Sequence, residues 1–331
     1  MLKIGIIGAG TMGGMHADCF SEIDGAEVIA VADAREEAAK NVASKYSART
    51  FTNGDDIIAL DDVDIVDICL PTPFHKENVL KVAAAGKHVF CEKPIARNLQ
   101  DGKEMIDACN KAGVKFMVGH VLRYFHEFSA AKNLIDSGAV GKPGVVRTTR
   151  AAGHPQGWSN WYANMEMAGG VVLDMIIHDF DFLRWCFGEV ERVYAKGLAY
   201  SGIPNVDYAL VTIRFKSGVI AHVEGSWAHP RGFFVTLEVA GDGGLFEFDS
   251  RTSSPLKVSK KSSDSGEGGV EVPQNPVNES PYTMELRHFI QSVAEDKEPE
   301  VTGEDALRAL EIALAALQSI KTGEPMQFPL I

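Results

Sequence analysis

"LKIGIIGAGTMG", residues 2–13, is a short apolar run that ends in three closely spaced glycines. Gly8, Gly10 and Gly13 have the G-x-G-x-x-G spacing of a dinucleotide-binding turn. The hexapeptide alone is weak evidence, because glycine-rich turns are frequent. Here it follows a predicted strand, opens a predicted amphipathic helix and is followed by Asp33, 20 residues after Gly13, at the end of a second strand. In this context the stretch predicts a Rossmann βαβ unit.

Each position in the turn has a physical role in holding a pyrophosphate. The first glycine allows the tight turn, the second lets the backbone approach the phosphates, and the third lets helix and strand pack closely. The helix N-terminus then offers N–H groups and a positive dipole end. We predict cofactor contacts at Gly8, Gly10, Thr11, Met12, Gly13, Asp33 and Arg35.

The acidic residue at the end of the second strand predicts the choice of nucleotide. A carboxylate can hold a ribose 2′-OH and repels a 2′-phosphate, so Asp33 favours NAD over NADP. Arg35 leaves the alternative open, because an arginine there can accommodate that phosphate.

The pattern of the chain changes near its middle. Up to about residue 120, five short runs rich in Val and Ile alternate with helical patterns, as in a doubly wound α/β domain with a parallel sheet. Further on, longer strand-like runs follow one another directly, which indicates an α+β domain with a large, mainly antiparallel open sheet. We predict a NAD-binding Rossmann domain over 1–122 and a substrate-binding and oligomerisation domain over 123–331. Residues 259–280 read as an exposed loop.

Composition excludes several classes of function. The net charge of −13 over 331 residues argues against nucleic acid and against anionic membrane surfaces as partners. The five cysteines are widely spaced and read as buried thiols of a reduced compartment, so a cytoplasmic location is expected. No apolar run approaches a membrane span. The ten histidines form no metal-binding pattern; no metal is predicted, and His16 is interpreted as one of several scattered histidines.

Two later strand ends carry residues suited to the reacting end of a dinucleotide site. "LPTPFHKE" and "CEKPIA" follow predicted parallel strands, whose carboxyl ends line the ligand crevice in such sheets. The candidates are Pro71, His75, Glu92 and Lys93. A solvated strand-end lysine is the alternative for Lys93.

"GGVVLDMIIHDFDFLRW", residues 169–185, places Asp174 and His178 in an otherwise apolar run. A helix-capping aspartate or a hydrogen-bonded core histidine would be the structural explanation. If one helix runs through this segment, the two side chains share a face at i and i+4. Asp179 and Asp181 are explained by the dipole of an early helical turn.

The G-x-G-x-x-G turn, the E-K-P segment and the G-G-x-x-x-D-x-x-x-H segment together resemble the Gfo/Idh/MocA family over essentially the whole chain. That resemblance implies a catalytic group of Lys93, Asp174 and His178, with Lys93 facing the other two across an inter-domain cleft. It places Glu92 and His75 beside the nicotinamide ribose and Arg123 near the substrate. The family usually has glycine where this chain has Ile176, a difference expected to narrow the substrate space or alter the turn.

The resemblance implies oxidation of a secondary hydroxyl of a sugar, inositol-like cyclitol or related polyol. A histidine suits the base, an ammonium stabilises the alkoxide, and Asp174 can hold a hydroxyl or orient His178. Trp161 could stack on a sugar or pack at a domain interface. By resemblance, the open sheet is buried in a homodimer or homotetramer. Alternatives are a nucleotide-responsive regulatory protein without turnover and a glycoside hydrolase that uses NAD.

Overall fold

The computed structural model describes residues 1–330 except 201, 203, 204, 231 and 253–278. Most of the predicted loop over 259–280 therefore lies outside the described residues. The described chain forms two compact units, Met1–Val121 with Glu279–Leu307, and Leu122–Asn278 with Arg308–Ile331. The first break lies one residue from the predicted boundary at 122. The predicted division differs in that 279–307 belong to the first unit.

The first unit contains a six-stranded parallel sheet in the order β3-β2-β1-β4-β5-β6. Its strands are β1 (Leu2–Ile7), β2 (Ala26–Ala32), β3 (Arg49–Phe51), β4 (Ile65–Ile68), β5 (His88–Glu92) and β6 (Phe116–Gly119). Its helices are α1 (Thr11–Ser21), α2 (Glu36–Ala43), α3 (Gly54–Ile58), α4 (His75–Ala84) and α5 (Leu99–Ala112). This order is that of a doubly wound Rossmann sheet, as predicted.

The second unit contains a mixed seven-stranded sheet with α6 (His126–Asp136), α7 (Met165–Ala168), α8 (Gly170–Asp174) and α9 (Ile177–Phe187). Its strands are β7 (Pro143–Ala151), β8 (Val190–Leu198), β9 (Tyr208–Phe215), β10 (Ile220–Ser226), β11 (Phe234–Gly241), β12 (Leu245–Asp249) and β13 (Met326–Gln327). They lie in the order β12-β11-β7-β10-β9-β8-β13, and only the β7–β10 pairing is parallel. Two helices follow late in the chain, α10 (Pro281–Ala294) and α11 (Gly303–Thr322).

The late helices explain why the first unit includes a distant segment. Helix α10 packs on α1, with Thr283 within 3.3 Å of Glu22, and the side chains of Phe90 and Phe289 meet edge to face. In the described part of the chain, none of the helices has the length and apolar character needed to cross a bilayer.

Candidate active site

The glycine turn after β1 has the geometry that its sequence predicts. Gly8 has a φ of +104°, a conformation that side chains disfavour, and it lies against the carbonyl of Cys69. A Cβ on Gly13 would overlap the carbonyl oxygen of Gly8, so only glycine lets α1 start this close to the turn. By contrast, Gly10 is exposed and a Cβ there would meet nothing within 4 Å. The backbone at Gly10 is therefore open to a ligand.

Asp33 follows β2 and is held rigidly beside this turn. Its carboxylate accepts hydrogen bonds from the backbone N–H groups of Ala9 and Arg35, each at 2.9 Å, and from Arg35 Nε at 3.1 Å. Burial raises the pKa of Asp33, but the hydrogen bonds from Arg35 and Ala9 outweigh it and hold the pKa below its usual range. The side chain is therefore a carboxylate at neutral pH. Arg35 is paired with it.

We expect this carboxylate to set the preference for NAD. The unmodified protein should bind NAD more tightly than NADP, and Asp33→Ala should narrow the gap by about tenfold or more, because both the ribose contact and the repulsion of a 2′-phosphate are lost. Asp33→Asn is the matched control, because it keeps the shape and the acceptor oxygen but removes the charge. Fluorescence titration of both nucleotides measures the effect. Tighter binding of NADP by the unmodified protein would overturn the assignment and point to Arg35.

His75 is fully buried between two turns of the first unit. Its Nδ1 lies 2.9 Å from the carbonyl oxygen of Pro94, and its Nε2 lies 2.7 Å from that of Leu70. Burial lowers the pKa of His75. The ring thus ties the Leu70–Pro71 turn to the segment after β5. This is a structural role, and the predicted contact between His75 and the nicotinamide ribose stays a prediction.

Lys93 is the one half-buried residue in a buried run. All the residues from Val89 to Ala96 except Lys93 are buried. Its backbone N–H donates to Glu92 Oε2 at 3.1 Å, so the turn after β5 is fixed by the preceding side chain. Burial raises the pKa of Glu92, but a nearby histidine, His16, and Lys93 outweigh it and hold that pKa below its usual range. The backbone at Lys93 is therefore fixed, while the residue itself is half-buried.

His16 is the residue that the sequence analysis underestimated. It lies on α1 with no exposed surface, and its Nδ1 is 2.8 Å from Asp67 Oδ2 while its Nε2 is 3.3 Å from Glu92 Oε1. The interpretation of His16 as one scattered histidine was wrong. The available signal was an acid in the apolar strand "IVDI" and a histidine three residues after Gly13 in a helix that must pack on that strand.

In the second unit, Asp174 and His178 stand out by their exposure. From Ala168 to Leu183 every residue is buried except these two, which are half-buried. The condition of one helix through this segment is not met, because α8 ends at Asp174 and α9 begins at Ile177. The amide of Ile176 bonds to the carbonyl of Val171, five residues back, which breaks the regular helical ladder. The i, i+4 argument therefore does not apply to this pair.

Ile176 fills the break and points into the core. Its side chain is fully buried, and a Cβ placed on Gly225 of β10 would lie 2.6 Å from its Cγ2. Of the two effects expected of Ile176, its place in the break between α8 and α9 agrees with an altered turn, and the narrowing of the substrate space stays a prediction. The isoleucine anchors the turn between Asp174 and His178 to a glycine in the sheet.

We expect Gly225→Ala to displace this turn. The added methyl group overpacks against Ile176, at a cost of about 1–3 kcal/mol in the free energy of unfolding, and turnover should fall because the adjacent Asp174 and His178 move. Ile176→Ala alone should also cost about 2–5 kcal/mol in the free energy of unfolding, and the two changes combined should cost less than the sum of the single losses, because each partly relieves the misfit of the other. Gly144→Ala on β7 is the control, since a Cβ there has its nearest neighbour at 4.0 Å. Denaturant unfolding and initial rates would measure the set; losses that simply add in the double variant would refute the contact.

Two buried ion pairs account for the acids that follow His178. Arg123 Nε donates to Asp181 Oδ2 at 2.8 Å and its Nη2 donates to Oδ1 at 2.6 Å. Arg150 of β7 pairs with Asp179 at 2.7 Å. Asp179 does lie in the first turn of α9, but the helix dipole alone does not explain these acids, because both carboxylates are buried and neutralised by arginine. Arg123 itself is 5% exposed, and its predicted contact with substrate stays a prediction.

The aromatic residues before α8 pack together. The rings of Trp161 and Tyr162 lie 4.1 Å apart, and Tyr162 meets Trp227 edge to face, whereas Trp158 is 53% exposed. The predicted roles of Trp161, stacking on a sugar or packing at a domain interface, stay predictions.

Comparisons with known proteins agree with this architecture. Residues 2–120 match a family model described as an oxidoreductase family with a NAD-binding Rossmann fold, and residues 128–247 match the GFO/IDH/MocA C-terminal domain. The chain is 33% identical to a myo-inositol 2-dehydrogenase of Thermotoga maritima, covering 97% of this chain and 96% of that protein. It is 31% identical to a NAD(+)-dependent scyllo-inositol 2-dehydrogenase of Bacillus subtilis, covering 98% and 96%.

A solved structure gives the same result for the fold. The crystal structure of GenD2 from gentamicin A biosynthesis in complex with NAD superimposes with a TM-score of 0.89 at 26% identity, covering 99% of this chain and 96% of that one. The parallel sheet, the glycine turn and the two matching family models leave one conclusion. The chain belongs to the Gfo/Idh/MocA family of NAD-binding oxidoreductases.

Proposed function

We propose that this protein oxidises a secondary hydroxyl group of a cyclitol or related polyol with NAD as the oxidant. The observation that carries the proposal is the exposure pattern of its titratable residues. Lys93 is the half-buried exception in one buried segment, and Asp174 and His178 are the exceptions in another. Burying a polar side chain is costly, and a core residue needs no exposed edge, so partial exposure favours groups that meet a ligand. The two inositol dehydrogenases named above support the substrate class.

The first unit fits NAD. The open backbone at Gly10, with Thr11 and Met12 starting α1, would hold the pyrophosphate, and the ionised Asp33 would hold a ribose. When bound, NAD accepts the hydride that leaves the hydroxyl-bearing carbon. We assign the remaining predicted contacts, Pro71, His75, Glu92 and Lys93, to the nicotinamide side.

The chain's own residues would accept the hydroxyl proton and stabilise the negative charge that develops on the oxygen. His178 would accept the hydroxyl proton, since an imidazole titrates near the working pH. The ammonium of Lys93 would stabilise the negative charge that develops on that oxygen. Asp174 would hold a second hydroxyl or orient His178. Arg123 and Trp161 remain proposed substrate-side residues.

A substrate panel tests the proposal directly. The protein is incubated with NAD and separate myo-inositol, scyllo-inositol, other polyols, free sugars and chromogenic glycosides, while nicotinamide absorbance and release of the chromophore are followed. Steady NADH formation with a cyclitol or polyol is the expected result. Binding of NAD with no NADH from any substrate would favour a regulatory protein. Glycoside cleavage without net NADH would favour the hydrolase alternative.

We further propose a homodimer or homotetramer in the cytoplasm. The inner face of β9 is fully buried through Ala209, Val211 and Ile213, whereas the outer face of the sheet exposes Leu210 at 44% and Leu198 at 59%. Apolar side chains grouped on one face of a sheet favour a partner surface. The five cysteines are free thiols, which supports a reducing compartment.

We expect light scattering to give a multiple of the 35.8 kDa chain mass. Leu210→Glu should shift the protein toward the monomer, because a charge would be buried in the interface. Leu134→Glu, the same change at a 37% exposed leucine on α6, is the control. A monomeric unmodified protein would refute the proposal.

A further inference from the structure

A buried histidine links the glycine turn after β1 to the segment that carries Lys93. His16 lies on α1, six residues after the helix N-cap Gly10. One of its ring nitrogens faces Asp67 of β4 at 2.8 Å, and the other faces Glu92, the last residue of β5, at 3.3 Å. The histidine and Asp67 have no exposed surface, and Glu92 is 7% exposed.

Nδ1 of this ring is hydrogen-bonded to Asp67, and Nε2 lies 3.3 Å from Glu92 Oε1, an ion-pair distance without the geometry of a hydrogen bond. A neutral imidazole has one N–H, so its other nitrogen would turn a lone pair toward a carboxylate; an imidazolium donates from both. Burial opposes protonation, but contacts with Cys69 and Asp67 outweigh it, and the pKa of His16 lies well above its usual range. The other titratable groups near the ring are Cys69 Sγ, 3.3 Å from Nδ1, and Cys19 on its own helix.

The same atoms could in principle hold a metal ion. His16, Asp67 and Cys69 place one potential ligand atom each within 4.8 Å of one another. However, the 2.8 Å distance between Nδ1 and Oδ2 is that of a direct hydrogen bond. Burial also raises the pKa of the Cys69 thiol, whereas a metal ligand must be a thiolate. The geometry favours a hydrogen-bonded network.

Glu92 contacts both this histidine and the backbone of the candidate catalytic lysine. Its Oε1 faces His16, and its Oε2 accepts the backbone N–H of Lys93 at 3.1 Å. We infer that His16 is a positioning residue, an imidazolium held by Asp67 that fixes the Glu92 carboxylate and thereby the backbone from which Lys93 projects. This inference rests on the proposed function for its effect on turnover, but not for the protonation state of the ring. Because α1 begins at the glycine turn, these contacts also connect the helix that would meet the pyrophosphate with the segment that carries Lys93.

The protonation state is tested on the apo protein by ¹⁵N-histidine NMR. At about pH 7.5, one unit above the ordinary histidine pKa of about 6.5, both nitrogens of His16 should carry protons, with Asp67→Asn used to assign the resonance. Glu92→Gln and Asp67→Asn should each lower its titration midpoint by about one pH unit or more. A neutral ring at that pH in the unmodified protein, or a midpoint unmoved by Glu92→Gln, would overturn the inference.

Two isosteric substitutions separate positioning from structural support. His16→Gln can place an amide donor where Nε2 lies, toward Glu92, whereas His16→Asn can place one where Nδ1 lies, toward Asp67. We expect His16→Asn to lower kcat by about 10- to 100-fold with NAD affinity little changed, and His16→Gln to retain most of kcat. Equal losses in both variants would indicate structural support alone and overturn the positioning role.

The NMR titration and the kinetic comparison can fail independently of each other. If the unmodified protein turns over no polyol, the proposed function fails, and the NMR titration still decides the state of His16. If neither isostere folds, Glu92→Gln and Asp67→Asn supply the NMR measurement, and a matching loss of kcat in Asp67→Asn at unchanged NAD affinity replaces the kinetic comparison.

Discussion

His178→Ala and Lys93→Met should each reduce polyol oxidation by about 10²-fold or more, the usual effect of removing a positioned acid–base or charge-stabilising group. NAD affinity should change little, because the contacts expected to dominate its binding lie with the glycine turn and Asp33. The double variant should lose little beyond the worse single variant, since residues that act in one step are not additive. Initial rates and NAD titrations on the same preparations measure this.

The matched control lies in the same buried run as His178. Ile177→Val removes one methyl group from the fully buried neighbour of His178, at a cost of about 0.5–1.5 kcal/mol in the free energy of unfolding. Its turnover should be close to normal. If His178 served only in folding, His178→Ala would lower thermal stability and leave the turnover of folded protein intact. Near-normal turnover in His178→Ala would end the catalytic assignment.

The sequence predicted the first sheet well because its signals are local. Strands such as β1 and β4 are buried on both faces and are therefore continuous apolar runs, and each ends in a glycine or proline turn. Strand β3 was missed, because three residues at a sheet edge, Arg49–Phe51, carry little pattern.

Strand β7 was missed for a different reason, although it lies between β10 and β11 in the sheet. Its buried face carries Thr148 and Arg150, so the alternation of apolar and polar residues is masked. Arg150 can be buried there because Asp179 neutralises it. A sequence shows both charged residues, but their pairing exists only in the folded chain.

The candidate site also contains residues that local sequence signals predict and residues that depend on tertiary contacts. The glycine turn, Asp33 and Lys93 follow from motif and strand-end position. The break at Ile176 has no local signal, since neither glycine nor proline lies there; it depends on Gly225, which meets it only in the tertiary fold. His16 was missed because its two carboxylate partners are 51 and 76 residues away along the chain.

Substitutions in the glycine turn after β1 should separate effects on folding from effects on cofactor binding most sharply. Gly10→Ala should leave thermal stability near that of the unmodified protein, because a Cβ meets nothing within 4 Å and φ is −78°, which alanine adopts easily. NAD affinity should nevertheless fall by about tenfold or more, since the methyl group occupies the space through which a pyrophosphate would approach the backbone.

Gly13→Ala should damage both properties. Its Cβ would overlap the carbonyl oxygen of Gly8, and backbone cannot move aside as a flexible side chain can, so a loss of about 3 kcal/mol or more in the free energy of unfolding is expected together with the loss of NAD binding. Gly14→Ala is the matched control on the same helix, because its nearest neighbour, Val42 Cγ2, is 3.8 Å away. Alanine there should be neutral or stabilising by up to about 1 kcal/mol. Thermal melts and NAD titrations of the three variants would decide the matter: normal NAD binding by Gly10→Ala would mean that the pyrophosphate does not approach this turn.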